Sequence, residues 1–163
     1  MTSHFDSDGN AHMVDVSAKL PTVRQAVASA ALTMRAATAE IIRQGTAAKG
    51  DVLGTARLAA IGATKQTPLL IPLCHAIPIE AVSVDFSWLE TADSDPAVLK
   101  CEVCVRTTAK TGVEMEAMTA ASIAALTVYD MVKSVDRALA IGPIVLIEKS
   151  GGKSGHFRRQ HAE

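Results

Sequence analysis

Thr107 to Asp136, TTAKTGVEMEAMTAASIAALTVYDMVKSVD, restricts the folding of this chain more than any other stretch. It predicts a long apolar helix whose side chains are mostly small, an element suited to close packing against its neighbours. Met115, Met118, Ser122, Ala125, Tyr129 and Val132 fall on one stripe at helical spacing. The ionisable residues Glu114, Glu116, Asp130 and Lys133 gather at the two ends instead of spreading over a solvent face, which suggests a site. Thr111 to Glu114 fits the T-x-x-E capping box, a structural explanation for Glu114 that does not extend to Glu116.

At 163 residues the chain has room for one compact domain with a sizeable core and too little for two ordinary ones. We read a single domain over 1–163 with flexible tails at 1–12 and 156–163. Hydrophobic residues at 48% and charged residues at 20% are a globular balance, and a formal charge of -1 argues against nucleic acid as a bulk electrostatic partner. Aromatic residues at 3% leave few rings for base stacking or membrane anchoring, so the expected ligand is a small molecule. No apolar run approaches the roughly 18 residues of a membrane span, and MTSHFDSDGNAHM lacks a basic start and an apolar signal core. A cytoplasmic protein without a membrane partner is expected. Cys74, Cys101 and Cys104 make no even disulfide framework. Cys101 and Cys104 form a CxxC inside an alternating stretch, where i and i+3 point to opposite faces of a strand, and no metal site is expected there.

Thr22 to Met34 is ambiguous by propensity, since its alanines favour helix while Val23, Val27, Leu32 and Thr33 suit a strand; the strand is preferred. Ala36 to Arg43 reads as a short helix, followed by a turn through Gly45 and Lys49-Gly50-Asp51 that delivers Asp51 as an N-cap. Val52, Ala56, Ala59, Ala60 and Ala63 then recur at helical spacing to about Lys65, and Pro68 breaks or redirects that helix. Val82, Val84, Phe86 and Trp88 alternate with polar residues, as do Leu99, Cys101, Val103 and Val105 after a turn near Asp95-Pro96. Both are half-buried strands of an antiparallel pair. Ile144 to Ile147 supplies a final buried strand, and the sum is a two-layer α+β fold.

Several short constellations could carry chemistry. LIPLCHAIP, Leu70 to Pro78, sets Cys74 and His75 between prolines on irregular backbone, where His75 is either a core histidine bonded to a backbone carbonyl or a contact to phosphate or substrate. Lys49 precedes a helix start that attracts anions, and Lys65 ends the same helix; each is open to a surface reading as well as a site reading. EKSGGKSG, Glu148 to Gly155, carries Lys149 and Lys153 around glycines without the spacing of a Walker loop, and a solvated turn is its plain reading. Asp130 and Lys133 are either an ordinary helix ion pair worth about 0.2–0.5 kcal/mol or a tunable proton donor and acceptor, with the lysine pKa pulled towards neutrality by desolvation and neighbouring cations.

Taken in order, HMVDVS (His12 to Ser17), KGDV (Lys49 to Val52), LIPLCH (Leu70 to His75), KTGVEMEAMTAASIAALTVYDM (Lys110 to Met131) and EKSGGKSG resemble the cyclic pyranopterin monophosphate synthase family of molybdenum cofactor biosynthesis, the MoaC family. The resemblance runs from about His12 to Phe157. It implies a ferredoxin-like α+β subunit, a two-layer sandwich with an antiparallel sheet, assembled as a homohexamer (a trimer of dimers) with active sites at subunit interfaces. It also implies a lyase that converts (8S)-3′,8-cyclo-7,8-dihydroguanosine 5′-triphosphate to cyclic pyranopterin monophosphate with release of pyrophosphate. Carried over position by position, the catalytic set falls on Lys49, Asp130 and Lys133. Substrate binding falls on Leu73-Cys74-His75 and Glu114-Met115-Glu116, with Lys65 and Arg24 as further polar contacts. Ala76, Ala109 and Gln66 depart from the pattern, where proline, glycine and a basic residue are usual. No redox centre or fixed metal is implied, although Mg2+ can accompany a triphosphate. The reading from another class is a noncatalytic module that holds a phosphorylated metabolite with His75 and the lysines.

Overall fold

The computed structural model describes residue 5 and residues 8–89 and 96–160. In chain order its elements are β1 (Thr22–Met34), α1 (Ala36–Arg43), α2 (Val52–Thr64), α3 (Thr67–Leu70), β2 (Ala81–Leu89), β3 (Ala97–Ala109), α4 (Glu114–Val132), β4 (Ala140–Ser150) and β5 (Phe157–Arg158). The strands form one antiparallel sheet in the order β2-β3-β1-β4-β5, and the helices pack against it. Leaving out β5 and the short helices α1 and α3, this is the βαββαβ arrangement expected of a ferredoxin-like, two-layer α+β sandwich.

The ambiguous Thr22–Met34 segment is the central strand β1, bonded along its length to β3 and β4. Ala26, Ala28, Ala30, Leu32 and Met34 alternate into the helix layer and are buried. Alanine's helix propensity amounts to a few tenths of a kcal/mol per residue against other ordinary side chains, and pairing on both sides overrides it. On β3 the inward set runs Ala97, Leu99, Cys101, Val103, Val105, Thr107 and Ala109 without a break. β2 shows the expected alternation, with Val84 buried and Trp88 and Phe86 covered by the guanidinium groups of Arg43 and Arg57 at 4.3 and 5.7 Å from the ring centres. Asp95, in the expected turn between these strands, lies outside the described residues.

Four expectations need correction. The long helix does not begin at Thr107: Thr107 to Ala109 finish β3, because their inward alternation continues the strand, and α4 spans Glu114–Val132. Its buried face is also not the stripe through Met115 and Met118. The core is met by Ala117, Ala120, Ala121, Ala124, Ala125, Val128 and Val132, because α4 packs both on the sheet and against the neighbouring α2 and is covered on two sides. The last long strand extends well beyond Ile144 to Ile147, since β4 follows β1 to its start. Finally, Phe157–Arg158 is not loose: it pairs with Lys149 and Glu148 of β4, and His156 Nε2 lies 2.9 Å from Glu148 Oε1. At the other end Phe5 bridges to Ala11. Asp51 caps α2 as expected, accepting from the Gly54 N–H at 2.8 Å, and Pro68 redirects the chain into α3.

Two consequences can be measured. Ala124 is 0% exposed, so Ala124→Leu should overpack the helix–sheet contact and lower stability by about 1–3 kcal/mol in urea melts; an unchanged midpoint would mean that α4 has room to spare. Cys101 and Cys104 sit on opposite faces of β3, and burial pushes the Cys101 thiol up to about 12. A thiol reagent at neutral pH should label Cys101 only as fast as the protein unfolds, whereas native-state labelling at the rate of Cys104 would contradict that burial.

Candidate active site

The C-terminal end of α4 brings three charges together. Lys49, from the loop between α1 and α2, donates to the Asp130 carboxylate at 2.7 Å and to its backbone carbonyl at 2.9 Å. Lys133, one turn on, meets the other carboxylate oxygen at 2.7 Å. All three side chains are about half exposed. Hydrogen bonds from Lys133 and then Lys49 bring the Asp130 carboxyl down to about 2. The hydrogen bond and charge of Asp130 in turn hold Lys133 above the ordinary lysine range. This reverses the sequence expectation of a lysine drawn towards neutrality: the side chain is too open for desolvation to compete with a carboxylate in contact. Lys133 is therefore held in its charged form.

The N-terminal end of α4 is built differently. Glu116 is 3% exposed, and burial pushes its carboxyl above the usual range; the charge on Glu114 adds to this while its own backbone N–H opposes it. The capping box is not formed, because the N-cap is Val113 rather than Thr111 and no side chain caps it. Glu114 instead pairs with Lys149 at 3.2 Å. His75 Nε2 donates to the Val14 carbonyl at 2.8 Å, fixing the ring at the cavity wall, so the backbone-bonded reading holds while the residue still faces open space. Burial and then the Glu116 charge raise the Cys74 thiol, which makes it a neutral wall group rather than a nucleophile.

Two adjoining cavities open here. The first, about 290 Å³, is lined by Leu73, Cys74, His75, Glu114, Met115 and Glu116, which are the two substrate segments expected from sequence, together with residues of the 14–19 and 111–112 stretches. The second, about 700 Å³, is cationic, with Lys19, Arg24, Lys110 and Lys153 around it and Glu114 on its edge. Arg24 Nε is buried with no hydrogen-bond partner among the described residues, while a terminal guanidinium nitrogen donates to the Lys110 carbonyl at 3.5 Å. Gly151 and Gly152, at φ of 94° and 74°, pass so close to β1 that a Cβ would strike the Val23 carbonyl at the first and the Arg24 guanidinium at the second. The EKSGGKSG turn is thus a cradle for Arg24 as well as a turn.

Sequence reasoning did not single out Lys19 or Lys110 and left Lys153 as a solvated lysine. The sheet register gathers them: Thr22 pairs with Ala109, and Gln25 pairs with Ser150, so the residues just outside those pairs converge. Lys65, the C-cap of α2, lines neither cavity, and neither do Lys49, Asp130 and Lys133. Ala76 is exposed, Ala109 closes the buried row of β3, and Gln66 is the N-cap of α3. Among the described residues no group of three or more His, Cys, Asp or Glu is arranged to hold a metal ion.

The chain is 60% identical to a cyclic pyranopterin monophosphate synthase of Rhodopirellula baltica, over 97% of this chain and 93% of that protein. It is 55% identical to cyclic pyranopterin monophosphate synthase 3 of Mycobacterium bovis, over 99% and 88%, and 52% identical to the synthase of Pelobacter propionicus, over 99% and 98%. The MoaC family model matches residues 13–152, a span that takes in both ends of α4, the His75 loop and the glycine cradle, and the chain belongs to the MoaC family.

Proposed function

We propose that this chain is a cyclic pyranopterin monophosphate synthase, a lyase of molybdenum cofactor biosynthesis that acts on the cyclised guanosine triphosphate derivative and releases pyrophosphate. Relatives alike over nearly their whole length carry that name. Within the chain, the observation that carries the reading is Asp130 clasped between Lys49 and Lys133, each at 2.7 Å.

The chemistry asks for ring opening and repeated proton transfers to nitrogen and oxygen. It then asks a ribose-derived hydroxyl to form a bond to the innermost phosphorus as the bond to pyrophosphate breaks. Lys133, held protonated, supplies a general acid, and Asp130 and Lys49 complete the relay. The cavity edged by Arg24, Lys19, Lys110 and Lys153 suits the triphosphate, and the one lined by Leu73, Cys74, His75, Glu114, Met115 and Glu116 suits the base-derived ring system. Lys65, which lies outside both cavities, is assigned as a further polar contact to substrate. Mg2+ accompanying the substrate would be held by the triphosphate oxygens. No helix among the described residues is long and apolar enough to cross a membrane, and the proposed setting is the cytoplasm.

Glu116 and Asp130 are fourteen residues apart on one helix, roughly 21 Å along its axis at 1.5 Å per residue. One compact substrate does not bridge that, so we assign a homo-oligomer, a hexamer built as a trimer of dimers, in which one subunit's Glu116 end faces another's Asp130 end.

Incubation with the cyclised nucleotide should yield the pterin product and pyrophosphate; a binding module would return the nucleotide unchanged. Lys49→Ala, Lys133→Ala and Asp130→Asn should each lower turnover by about 10²–10⁴-fold while leaving the fold intact, and wild-type turnover by any of them would remove its assigned role. Because its folded-state pKa is depressed, Asp130 stays ionised above about pH 4, and its stabilising contribution is lost only as pH falls through about 2. A fall in kcat/KM between about pH 4 and 9 should therefore report other groups, and an Asp130 carboxylate resonance that titrates within that window would contradict this. Mixing Glu116→Ala and Asp130→Asn proteins under subunit exchange should recover roughly a quarter of wild-type activity, since half the dimers are mixed and each holds one intact site. Confirmed exchange without recovery would sink the shared site.

A further inference from the structure

Asp136 follows the last turn of α4 and is 2% exposed, deeper than any group of the nearby cluster of Lys49, Asp130 and Lys133. Its backbone N–H donates to the Val132 carbonyl at 3.1 Å, which keeps it in register with α4. Its carboxylate faces the start of α1. Oδ2 accepts from the Arg35 backbone N–H and from the Thr38 hydroxyl, both at 3.0 Å, and Oδ1 lies 3.4 Å from Arg35 Nε. Arg35 answers from the other side by donating through its guanidinium to the Val135 carbonyl. As the N-cap of α1, Arg35 makes no side-chain capping bond of its own, so the cap is supplied by Asp136 from another element.

The two segments joined here are those that carry the cluster. α4 holds Asp130 and Lys133; the chain leaving α1 at Arg43 forms the loop that brings Lys49 back onto the Asp130 carboxylate and carbonyl. The lysine contacts are about half exposed and, on their own, too weak to set the spacing of two helices. A buried carboxylate bonded by two donors on α1 is a firmer hinge pin, because separating it would leave a buried acceptor unsatisfied. We propose that Asp136 is a positioning residue that fixes the α1–α2 loop against the end of α4 and so holds Lys49 in reach of Asp130. The proposal rests on the reading of Lys49, Asp130 and Lys133 as the catalytic set.

The test is to follow the Asp130 carboxylate by carbon-detected NMR, alongside steady-state kinetics, in Asp136→Ala and in Thr38→Val, which removes one bond without changing charge. Losing a nearby negative charge would move the Asp130 midpoint down; loosening its lysines moves it up, so the sign separates positioning from a direct field effect. The expected result is an upward shift, with kcat lower by about 10–100-fold and KM for the cyclised nucleotide within about threefold in the folded Asp136→Ala protein, and a smaller change of the same sign in Thr38→Val. An Asp130 midpoint that stays put or falls in a folded variant overturns the proposal, and Thr38→Val alone decides if Asp136→Ala does not fold. Asp130→Asn, assayed in parallel, separates the two ideas: if it retains full turnover the catalytic reading fails, and the Asp130 midpoint still judges the positioning role.

Discussion

The contact on which the molecule depends is the meeting of small side chains between α4, α2 and the central strand. Ala26, Ala28 and Ala30 of β1 and Ala117, Ala120, Ala121 and Ala124 of α4 are fully buried, with Ala56 and Ala60 of α2 alongside. Alanine forfeits no side-chain entropy on burial and allows backbones to approach closely, so the layers gain dispersion contacts that larger residues would hold apart. Larger neighbours, among them Leu32, Leu99, Val103, Val105 and Val128, add roughly 1.5–3 kcal/mol each by leaving water. Once α4 is seated in this way, both of its ends have fixed addresses: one beside the His75 loop, the other beside the loop that carries Lys49.

The ends then obey different electrostatics. At the exposed end, charge is retained through contact, and the ion pairs lower one pKa and raise the other without contributing much to stability. At the enclosed end, burial dominates and raises both Glu116 and Cys74. One helix thus presents a strongly ionised pair and a carboxyl reluctant to ionise.

Much of this was legible in the residues. The strands β2 and β3 were readable because inward positions alternate, β1 could only be preferred over a helix on its Val, Leu and Thr content, and Asp51 declared its cap because the local turn chemistry suffices. The start of α4 was misjudged because Thr107 to Ala109 suit either element by type, and only their pairing with β1 decides. Its buried face was misjudged because an alanine-rich helix covered on two sides has little amphipathic contrast to read. Glu114, Glu116 and His75 could be nominated from their neighbours in sequence, but their company could not. The ion pair of Glu114 with Lys149 and the bond from His75 to Val14 join residues far apart in the chain, and no local pattern encodes them.

The same logic corrects what net charge can say. A formal charge of -1 describes a balance over the whole chain. It carries no information about gathering. Antiparallel pairing sets the start of β1 beside the ends of both β3 and β4, so Lys19, Lys110 and Lys153, which approach from three separate segments, are delivered to one end of the sheet with Arg24. Cations brought together around one cavity reinforce one another's field there. The glycines at Gly151 and Gly152 permit the closest of these approaches, at Arg24, since any side chain there would displace the guanidinium. A locally cationic site in a nearly neutral protein is therefore a product of register: the charges are ordinary in number, and the sheet alone makes them neighbours.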